Sequence, residues 1–340
     1  MTNDIIFEVT NHLAKITLNR EKALNAMSYD MFVALHAHLE KWAADDAIKA
    51  VLIRSNSEKA FCAGGDIRAI YENKHLTPES LSEYFRLEYR VNQIIKHYPK
   101  PYIALTHGIT MGGGIGISLH ASHRVTSDQL RWAMPETLIG FFPDIGATYY
   151  LSRLENEVGT YLALTGNSID AETAVQLKLM DFMIPRDRFD AVENALLQVS
   201  SMNGDDEVTA ILSAFSVPVN NDALPFSLNE INHCFRHNTI ENIFAELKKL
   251  QAEWSSETIT ALEKRSPTSL KVALKQLRLA REKSIDDVLE MDLHIAREML
   301  KNNDFYEGVR AAIIDKDKNP QWQPNTLSMI SDETINPYFE

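Results

Sequence analysis

Two glycine-rich segments and a pair of carboxylates form the part of the sequence best suited to chemistry. The first segment, residues 63–67, reads Ala-Gly-Gly-Asp-Ile, and the second has three consecutive glycines at 112–114. Glycine leaves backbone N–H groups unobstructed, and amides at the start of a helix attract an anion. One amide from each segment could bind the same oxygen and stabilise the negative charge of an enolate or a tetrahedral intermediate. Each such donor lowers a barrier by roughly 2.7–4 kcal/mol.

The two carboxylates, Glu136 and Asp144, stand eight residues apart in a segment rich in apolar and aromatic side chains. A carboxylate in such surroundings is poorly solvated, which makes it more basic or more nucleophilic, and a second one could orient a hydroxyl group or a water molecule. A purely structural interpretation is also open. Glu136 could cap a helix after Pro135, and Phe141 and Phe142 suit a core better than a stacking surface for a ligand.

Each glycine segment could also be no more than a tight connection after a strand. Neither fits a P-loop, because no Gly-Lys-Ser/Thr follows, and Ile117 stands where the dinucleotide-binding fingerprint needs its last glycine. Together with the carboxylates, however, the two segments describe a site for carbonyl chemistry that needs no metal.

Composition limits the kind of partner that the chain can bind. Its 340 residues carry a net charge of −13, which argues against a general nucleic-acid binder but leaves a local phosphate site open. The two cysteines, Cys62 and Cys234, lack the spacing of a zinc ribbon or a disulfide framework. The N-terminus has no basic, apolar leader, and no apolar run approaches the ~20 residues of a membrane span. These features predict a cytoplasmic protein without a membrane segment.

The elements that must position these residues alternate between strand and helix. The pattern predicts a hairpin over 5–18, a helix capped by Ser28, a buried strand over 50–53, a helix over 79–97 and a strand over 102–105. Such alternation indicates crossover connections and a mainly parallel sheet. After Pro143 the pattern is almost entirely helical. We therefore predict a catalytic core over 1–200 and a helical C-terminal region over 201–340.

Several of these motifs also resemble a known family. The enoyl-CoA hydratase/isomerase (crotonase) superfamily has motifs similar to Phe61-Cys62-Ala63-Gly64-Gly65-Asp66, His107-Gly108 through Gly114, and Pro135-Glu136 with Gly140. Within it, residues 134–146 most resemble the branch that hydrolyses 3-hydroxyisobutyryl-CoA. The tail extends this resemblance through Ser266-Pro267-Thr268-Ser269-Leu270, Asp304-Phe305-Tyr306-Glu307-Gly308-Val309-Arg310-Ala311, Ile314-Asp315-Lys316-Asp317 and Pro320-Gln321-Trp322.

The resemblance implies an α/β fold with a crotonase-like ββα-spiral core, a helical C-terminal region, and a role for each matching residue. The backbone N–H groups of Gly65 and Gly113 would form an oxyanion hole, Glu136 would be the catalytic glutamate, and Asp144 would engage the 3-hydroxyl end of the substrate. The substrate-binding residues implied are Glu88, lining the acyl pocket, and Ala63, Gly64, Asp66 and Ile67, beside the adenine of coenzyme A. From the residues alone, Glu88 could equally be a solvated helix carboxylate.

The activity implied is hydrolysis of 3-hydroxyisobutyryl-CoA, or a similar short 3-hydroxyacyl-CoA, to the free hydroxy acid and coenzyme A, as in valine degradation. Coenzyme A is then part of the substrate, so we expect no separate cofactor and no metal. Relatives of this superfamily commonly form trimers or pairs of trimers, which implies a homo-oligomer. The long helical tail could instead fold over its own core.

One departure from the superfamily pattern separates the alternatives. Hydratases of this type carry a second glutamate two residues beyond the glycine triplet, where this chain has Gly116. Without that glutamate, the paired acid–base addition of water across a double bond loses a member. An enoyl-CoA hydratase or isomerase is therefore the alternative to a hydrolase. A non-catalytic acyl-CoA-binding or ribonucleoprotein-associated protein is a lesser alternative.

Overall fold

The computed structural model describes residues 3–199, 204–220 and 224–340. The chain divides into two compact units, each built from three stretches of sequence. Unit 1 comprises Met1–Asp66, Leu87–Trp132 and Ser168–Asp222; unit 2 comprises Ile67–Arg86, Ala133–Asn167 and Ala223–Glu340. The boundary predicted between residues 200 and 201 lies outside the described residues, and that division stays a prediction.

The strands form two sheets. They are β1 (Ile5–Thr10), β2 (Leu13–Leu18), β3 (Ala50–Ser55), β4 (Ala60–Cys62), β5 (Tyr102–Thr106), β6 (Ile109–Met111), β7 (His123–Thr126), β8 (Arg131–Ala133) and β9 (Phe182–Met183). The larger sheet has the order β1-β2-β3-β5-β7-β9, and the smaller has the order β4-β6-β8. Only β1 and β2 pair antiparallel in the larger sheet; every later pair is parallel. The predicted hairpin and the mainly parallel sheet are thus confirmed.

Helices account for most of the remaining described residues. They are α1 (Tyr29–Ala43), α2 (Ile67–Glu72), α3 (Pro78–Lys96), α4 (Gly113–Leu119), α5 (Ala147–Leu151), α6 (Val158–Thr165), α7 (Ala171–Gln176), α8 (Phe189–Leu196), α9 (Asp205–Phe215), α10 (Leu228–Phe235), α11 (Ile240–Leu250), α12 (Glu253–Glu263), α13 (Pro267–Ala280), α14 (Ile285–Met299), α15 (Asn303–Val309) and α16 (Asp332–Ile335). Within the described ranges, each helix is too short or too polar to span a lipid bilayer.

Local sequence explains where these elements begin and end. Ser28 caps α1 as predicted, because its side chain accepts a hydrogen bond from the Met31 N–H. The helix α11 begins at Ile240. It ends at Leu250, since Gln251 adopts a left-handed conformation with φ of 51°, and α12 starts at Glu253. The short strands β4 and β6 were not predicted, because runs of three residues carry little periodicity.

The hydrophobic core of unit 1 lies between the larger sheet and two helices. Strands β2, β3, β5 and β7 contribute small and branched side chains, while α8 and α9 contribute the larger ones that cover them. The buried members are Leu13, Ala50, Leu52, Ile103, Leu105, Val125, Ile184, Phe189, Val192, Leu196, Val199, Val208 and Leu212. Continuous apolar strands such as β5 fit this position, because a parallel sheet is covered on its faces.

The core of unit 2 is aromatic around Phe141. Its ring contacts those of Phe85, Phe142 and Phe305, with centroid distances of 4.6–5.2 Å. Phe141 and Phe142 are buried, which confirms the prediction that they belong to the core. The tail is ordered through docking, since Ile335 and Tyr338 are buried as well.

Candidate functional site

The first glycine turn, in unit 1, is held by the backbone of Met27. In the isolated parallel bridge between Met27 and Gly65, the Met27 N–H donates to the Gly64 carbonyl (2.9 Å), and its carbonyl accepts from Asp66 N–H (2.9 Å). Backbone groups of successive residues in an extended segment alternate in direction. The N–H of Gly65 therefore points away from Met27.

The second glycine turn opens α4 on the other side of Gly65. Gly112 has φ of 47° and Gly113 is the first helical residue, so the Gly113 N–H has no partner four residues earlier in the helix. A Cβ built on Gly113 would stand 3.2 Å from the backbone nitrogen of Gly65 and would overlap Oε1 of Glu88. Only glycine at position 113 allows the two turns and this carboxylate to approach so closely.

Glu88 lies at this junction and is not a solvated helix carboxylate. It is 2% exposed, and its charge is close enough to Cys62 to contribute to the raised pKa of that thiol, about 12, for which burial is the larger cause. The sequence was consistent with either a buried or a solvated side chain for Glu88. The structure decides for the buried one, because the face of α3 that carries it is turned inward at this point.

The segment 63–66 is fixed by backbone and ionic contacts of unit 1. Ala63 N–H donates to the Leu24 carbonyl (3.0 Å), and the Asp66 carboxylate pairs with the Arg20 guanidinium (2.8 Å). The next residue, Ile67, begins α2 and belongs to unit 2. The structure thus brings Gly64, Gly65, Gly113 and Glu88 together, and places Ala63 and Asp66 in the adjoining backbone.

Glu136 begins a 3₁₀ helix (Glu136–Ile139) in unit 2, and its side chain is buried. It is 7% exposed, and within the described structure Oε2 has no hydrogen-bond partner. Burial, followed by the negative charge of Asp144, raises the pKa of Glu136 well above its ordinary value. A buried carboxyl oxygen without a hydrogen-bond partner is costly, and Oε2 of Glu136 is such an atom among the described residues.

Asp144 lies in the turn that follows and is 5% exposed. Its charge also contributes to the raised pKa of a third buried carboxyl, Asp292, for which burial is the main cause. Asp292 and its neighbour Gln276 were not predicted as site residues. They stand on α14 and α13, and a lone Asp or Gln in an amphipathic helix gives no signal that distinguishes it from a solvated residue.

The C-terminal motifs surround the Glu136 turn. Cβ atoms built on Gly140 and Gly308 would overlap the backbones of Asp304 and Ile139, so α15 packs against the 3₁₀ helix at backbone distance. The Asp304 carboxylate accepts hydrogen bonds from Ser266 Oγ (2.6 Å) and Gln323 N–H (2.8 Å). The tail residues of the resemblance therefore have a structural role: they hold the backbone that carries Glu136.

These arrangements provide two components of carbonyl chemistry. Unit 1 offers adjacent backbone amides that can stabilise a negatively charged oxygen, and unit 2 offers a buried carboxyl whose basicity is increased. Within the described ranges, no group of three or more His, Cys, Asp or Glu side chains is arranged to hold a metal ion.

The fold and these motifs define an α/β protein of the crotonase class. Residues 13–339 match the family described as enoyl-CoA hydratase/isomerase, and the chain belongs to that family. The predicted resemblance and the predicted fold class are thereby confirmed.

Sequence similarity to named proteins covers nearly the whole chain. The chain is 38% identical to "3-hydroxyisobutyryl-CoA hydrolase, mitochondrial" of Bos taurus and 35% identical to the Homo sapiens protein of the same name, covering 99% of this chain and 88% of each relative. Among solved structures, a carnitinyl-CoA dehydratase from Mycobacterium thermoresistibile superposes with a TM-score of 0.91 at 33% identity, covering 100% of this chain and 97% of the other. An enoyl-CoA hydratase from Rhodobacter sphaeroides 2.4.1 superposes with a TM-score of 0.88 at 30% identity, covering 99% and 97%.

Proposed function

We propose that the protein hydrolyses the thioester of a short 3-hydroxyacyl-CoA, with 3-hydroxyisobutyryl-CoA as the principal substrate. The observation that carries this proposal is Glu136, a buried carboxyl with a raised pKa and with no partner for Oε2 among the described residues. The names of full-length relatives at 35–38% identity support the choice of substrate. The assignment of each site residue below is part of the proposal.

The carbonyl oxygen of the thioester accepts hydrogen bonds from the N–H groups of Gly65 and Gly113. Glu136 then follows one of two routes. It attacks the carbonyl carbon, releases coenzyme A as the thiolate and leaves a mixed anhydride that water opens. Alternatively, it takes a proton from water, the hydroxide attacks the same carbon, and the carbon–sulfur bond breaks to release the thiolate. In both routes the proton that the thiolate gains comes from the water consumed. Either route consumes one water and yields the free acid and the thiol.

Asp144 engages the 3-hydroxyl group and helps to position the water, and Glu88 lines the acyl pocket. The segment formed by Ala63, Gly64, Asp66 and Ile67 runs beside the adenine of coenzyme A. A hydroxyl bound by a buried carboxylate gives strong selection, because a substrate that lacks it leaves that carboxylate unpaired.

Free thiol would be measured with a panel of 3-hydroxyisobutyryl-CoA, 3-hydroxybutyryl-CoA, isobutyryl-CoA and crotonyl-CoA. We expect the highest kcat/KM for 3-hydroxyisobutyryl-CoA and a fall of at least about 100-fold in Glu136→Gln and in Asp144→Asn. Glu155 also begins a 3₁₀ helix in unit 2 but is exposed, so Glu155→Gln is the matched control and should keep wild-type activity. Unchanged thiol release by Glu136→Gln would contradict the mechanism.

The same panel separates the alternative functions. Loss of the enoyl-thioester absorbance of crotonyl-CoA without thiol release would favour a hydratase or isomerase. Binding of acyl-CoA without turnover would favour a non-catalytic protein, and salt-sensitive retention of RNA would favour the ribonucleoprotein-associated role.

The proposal requires no cofactor apart from the coenzyme A of the substrate. It also includes assembly into a homo-oligomer, a trimer or a multiple of one, and a cytoplasmic location. The names of the relatives include the word mitochondrial, so fractionation of cells is the measurement that decides the location. Light scattering of the purified protein decides the oligomeric state.

A further inference from the structure

The turn that carries Asp144 has an unusual backbone. Ala147 N–H donates to the Asp144 carbonyl (2.9 Å), which closes a four-residue turn. Both central residues have positive φ, 56° at Ile145 and 73° at Gly146. Turns of this kind are dominated by Asn, Asp and Gly, and a β-branched residue with φ above zero is a true outlier. Surrounding contacts must therefore hold the turn in place.

Two residues from distant helices supply those contacts. Asp292 Oδ2, on α14, accepts the Gly146 N–H at 2.8 Å. Gln276 Nε2, on α13, donates to Asp292 Oδ1 at 2.7 Å and to the Pro143 carbonyl at 3.1 Å. The hydrogen bonds therefore hold the backbone on both sides of Asp144, at Pro143 immediately before it and at Gly146 two residues after it.

The hydrogen-bond partners of Gln276 and Asp292 fix how each side chain is oriented. Both groups that face Gln276 Nε2 are oxygen acceptors, so the amide must present its nitrogen to them. Asp292 must accept at both oxygens, one from Gln276 and one from Gly146. Asp292 and Gln276 are both 0% exposed. A buried carboxylate is expensive compared with an apolar side chain of similar size, which indicates a role beyond filling the core.

We infer that Asp292 and Gln276 form a clamp that positions Asp144 toward the substrate, and that they are positioning residues rather than catalytic ones. The clamp lies wholly within unit 2. Its functional role rests on the proposed function, because Asp144 needs a substrate hydroxyl to engage, whereas the clamp itself is a structural statement that can be tested without turnover.

Two variants separate the contacts. In Asp292→Asn only one oxygen remains, so either Gly146 N–H or Gln276 Nε2 faces another donor. Gln276→Met keeps the length of the side chain, removes both donated hydrogen bonds and adds no charge, which makes it the second variant if Asp292→Asn folds poorly. Asp287 lies on the same helix α14 but is exposed, and its side chain accepts hydrogen bonds from Ser284, so Asp287→Asn is the control.

The first measurement is hydrogen exchange of the full-length protein over the peptide that covers residues 143–151. We expect this peptide to exchange roughly tenfold or more faster in Asp292→Asn and in Gln276→Met, as expected where a buried polar group is left without its hydrogen-bond partner. Asp287→Asn should leave it unchanged. Equal exchange in the wild type and both clamp variants would overturn the clamp.

The second measurement is a double-mutant cycle on thiol release from 3-hydroxyisobutyryl-CoA. Asp292→Asn should lower kcat/KM by roughly 10–100-fold in the native background and by less than about twofold in the Asp144→Asn background, because residues that act through one another are not additive. With isobutyryl-CoA, which has no hydroxyl for Asp144, Asp292→Asn should likewise lower kcat/KM by less than about twofold in the native background.

Equal losses in both backgrounds and with both substrates would show that Asp292 supports only the fold, and would overturn the positioning role. If the wild type released no thiol from any member of the panel, the proposed function would fail and the positioning role with it. The exchange experiment would still decide whether the clamp exists.

Discussion

The negative charge of Asp144 raises the pKa of Glu136, although the larger cause of that shift is the burial of Glu136 itself. The two carboxyls are 5% and 7% exposed, so little solvent screens one from the other. Burial and this neighbouring charge therefore both favour the protonated form of Glu136.

The pH dependence of the reaction should follow from this shift. Glu136 acts only as the carboxylate, so kcat/KM for thiol release should rise with pH through the raised pKa of Glu136, well above the ordinary range of glutamate near 4.3. The measurement is a pH profile of kcat/KM in the wild type and in Glu155→Gln, which should coincide. A profile already flat at pH 5 would contradict the raised pKa of Glu136.

The same shift makes a prediction about stability. Below about pH 4, Glu136 is protonated in both the folded and unfolded states, so Glu136→Gln should melt like the wild type. As the pH rises through the raised pKa, the folded wild type loses stability, because it must bury the charge or retain the proton. At pH 8, Glu136→Gln should therefore be more stable by about 1–3 kcal/mol. The measurement is the Tm of the wild type and of Glu136→Gln across this pH range. A Tm difference that does not change with pH would rule out the charge of Glu136 as its cause.

Gly113→Ala should remove most of the activity while the protein still folds. The new Cβ would overlap Glu88 Oε1 and stand 3.2 Å from the nitrogen of Gly65, so the amides can no longer approach the same oxygen. Loss of one such donor lowers kcat by about 100- to 1,000-fold. Ser118→Ala, in the same helix, loses the hydroxyl bonds to the Gly114 carbonyl (2.8 Å) and the Ile115 carbonyl (3.3 Å) and serves as the control. The test is steady-state thiol release by both variants. Similar kcat values for Gly113→Ala and Ser118→Ala would contradict the prediction.

Gly308→Ala should loosen the backbone that carries Glu136. Its Cβ would overlap the backbone of Ile139, which cannot move as a flexible side chain could. Overpacking of this kind costs about 1–3 kcal/mol, so we expect a lower Tm together with a lower kcat. Tyr306→Phe, two residues earlier on α15, loses a single hydrogen bond to the Leu300 carbonyl (3.0 Å) and should lower the Tm with little change in kcat. Wild-type kcat in Gly308→Ala would contradict this role of the tail.

Much of the fold could be predicted because its signals are local. The cap at Ser28, the apolar run of β3 and the glycines before α4 are each read within a few residues. The short strands β4 and β6 could not be predicted in this way. Their pairing depends on contacts between segments that are far apart in the sequence.

The sequence by itself determined which residue types were available for chemistry, namely the two glycine turns and the Glu136–Asp144 pair, because these are motifs of adjacent residues. Only the tertiary structure decided that Glu88 is buried against Gly113 and that Asp292 binds Gly146 across 146 positions of the chain. The reason is physical. Burial and electrostatic shifts depend on what surrounds a side chain in space, and the helices that carry Glu88 and Asp292 do not show in their own sequence which segments they face.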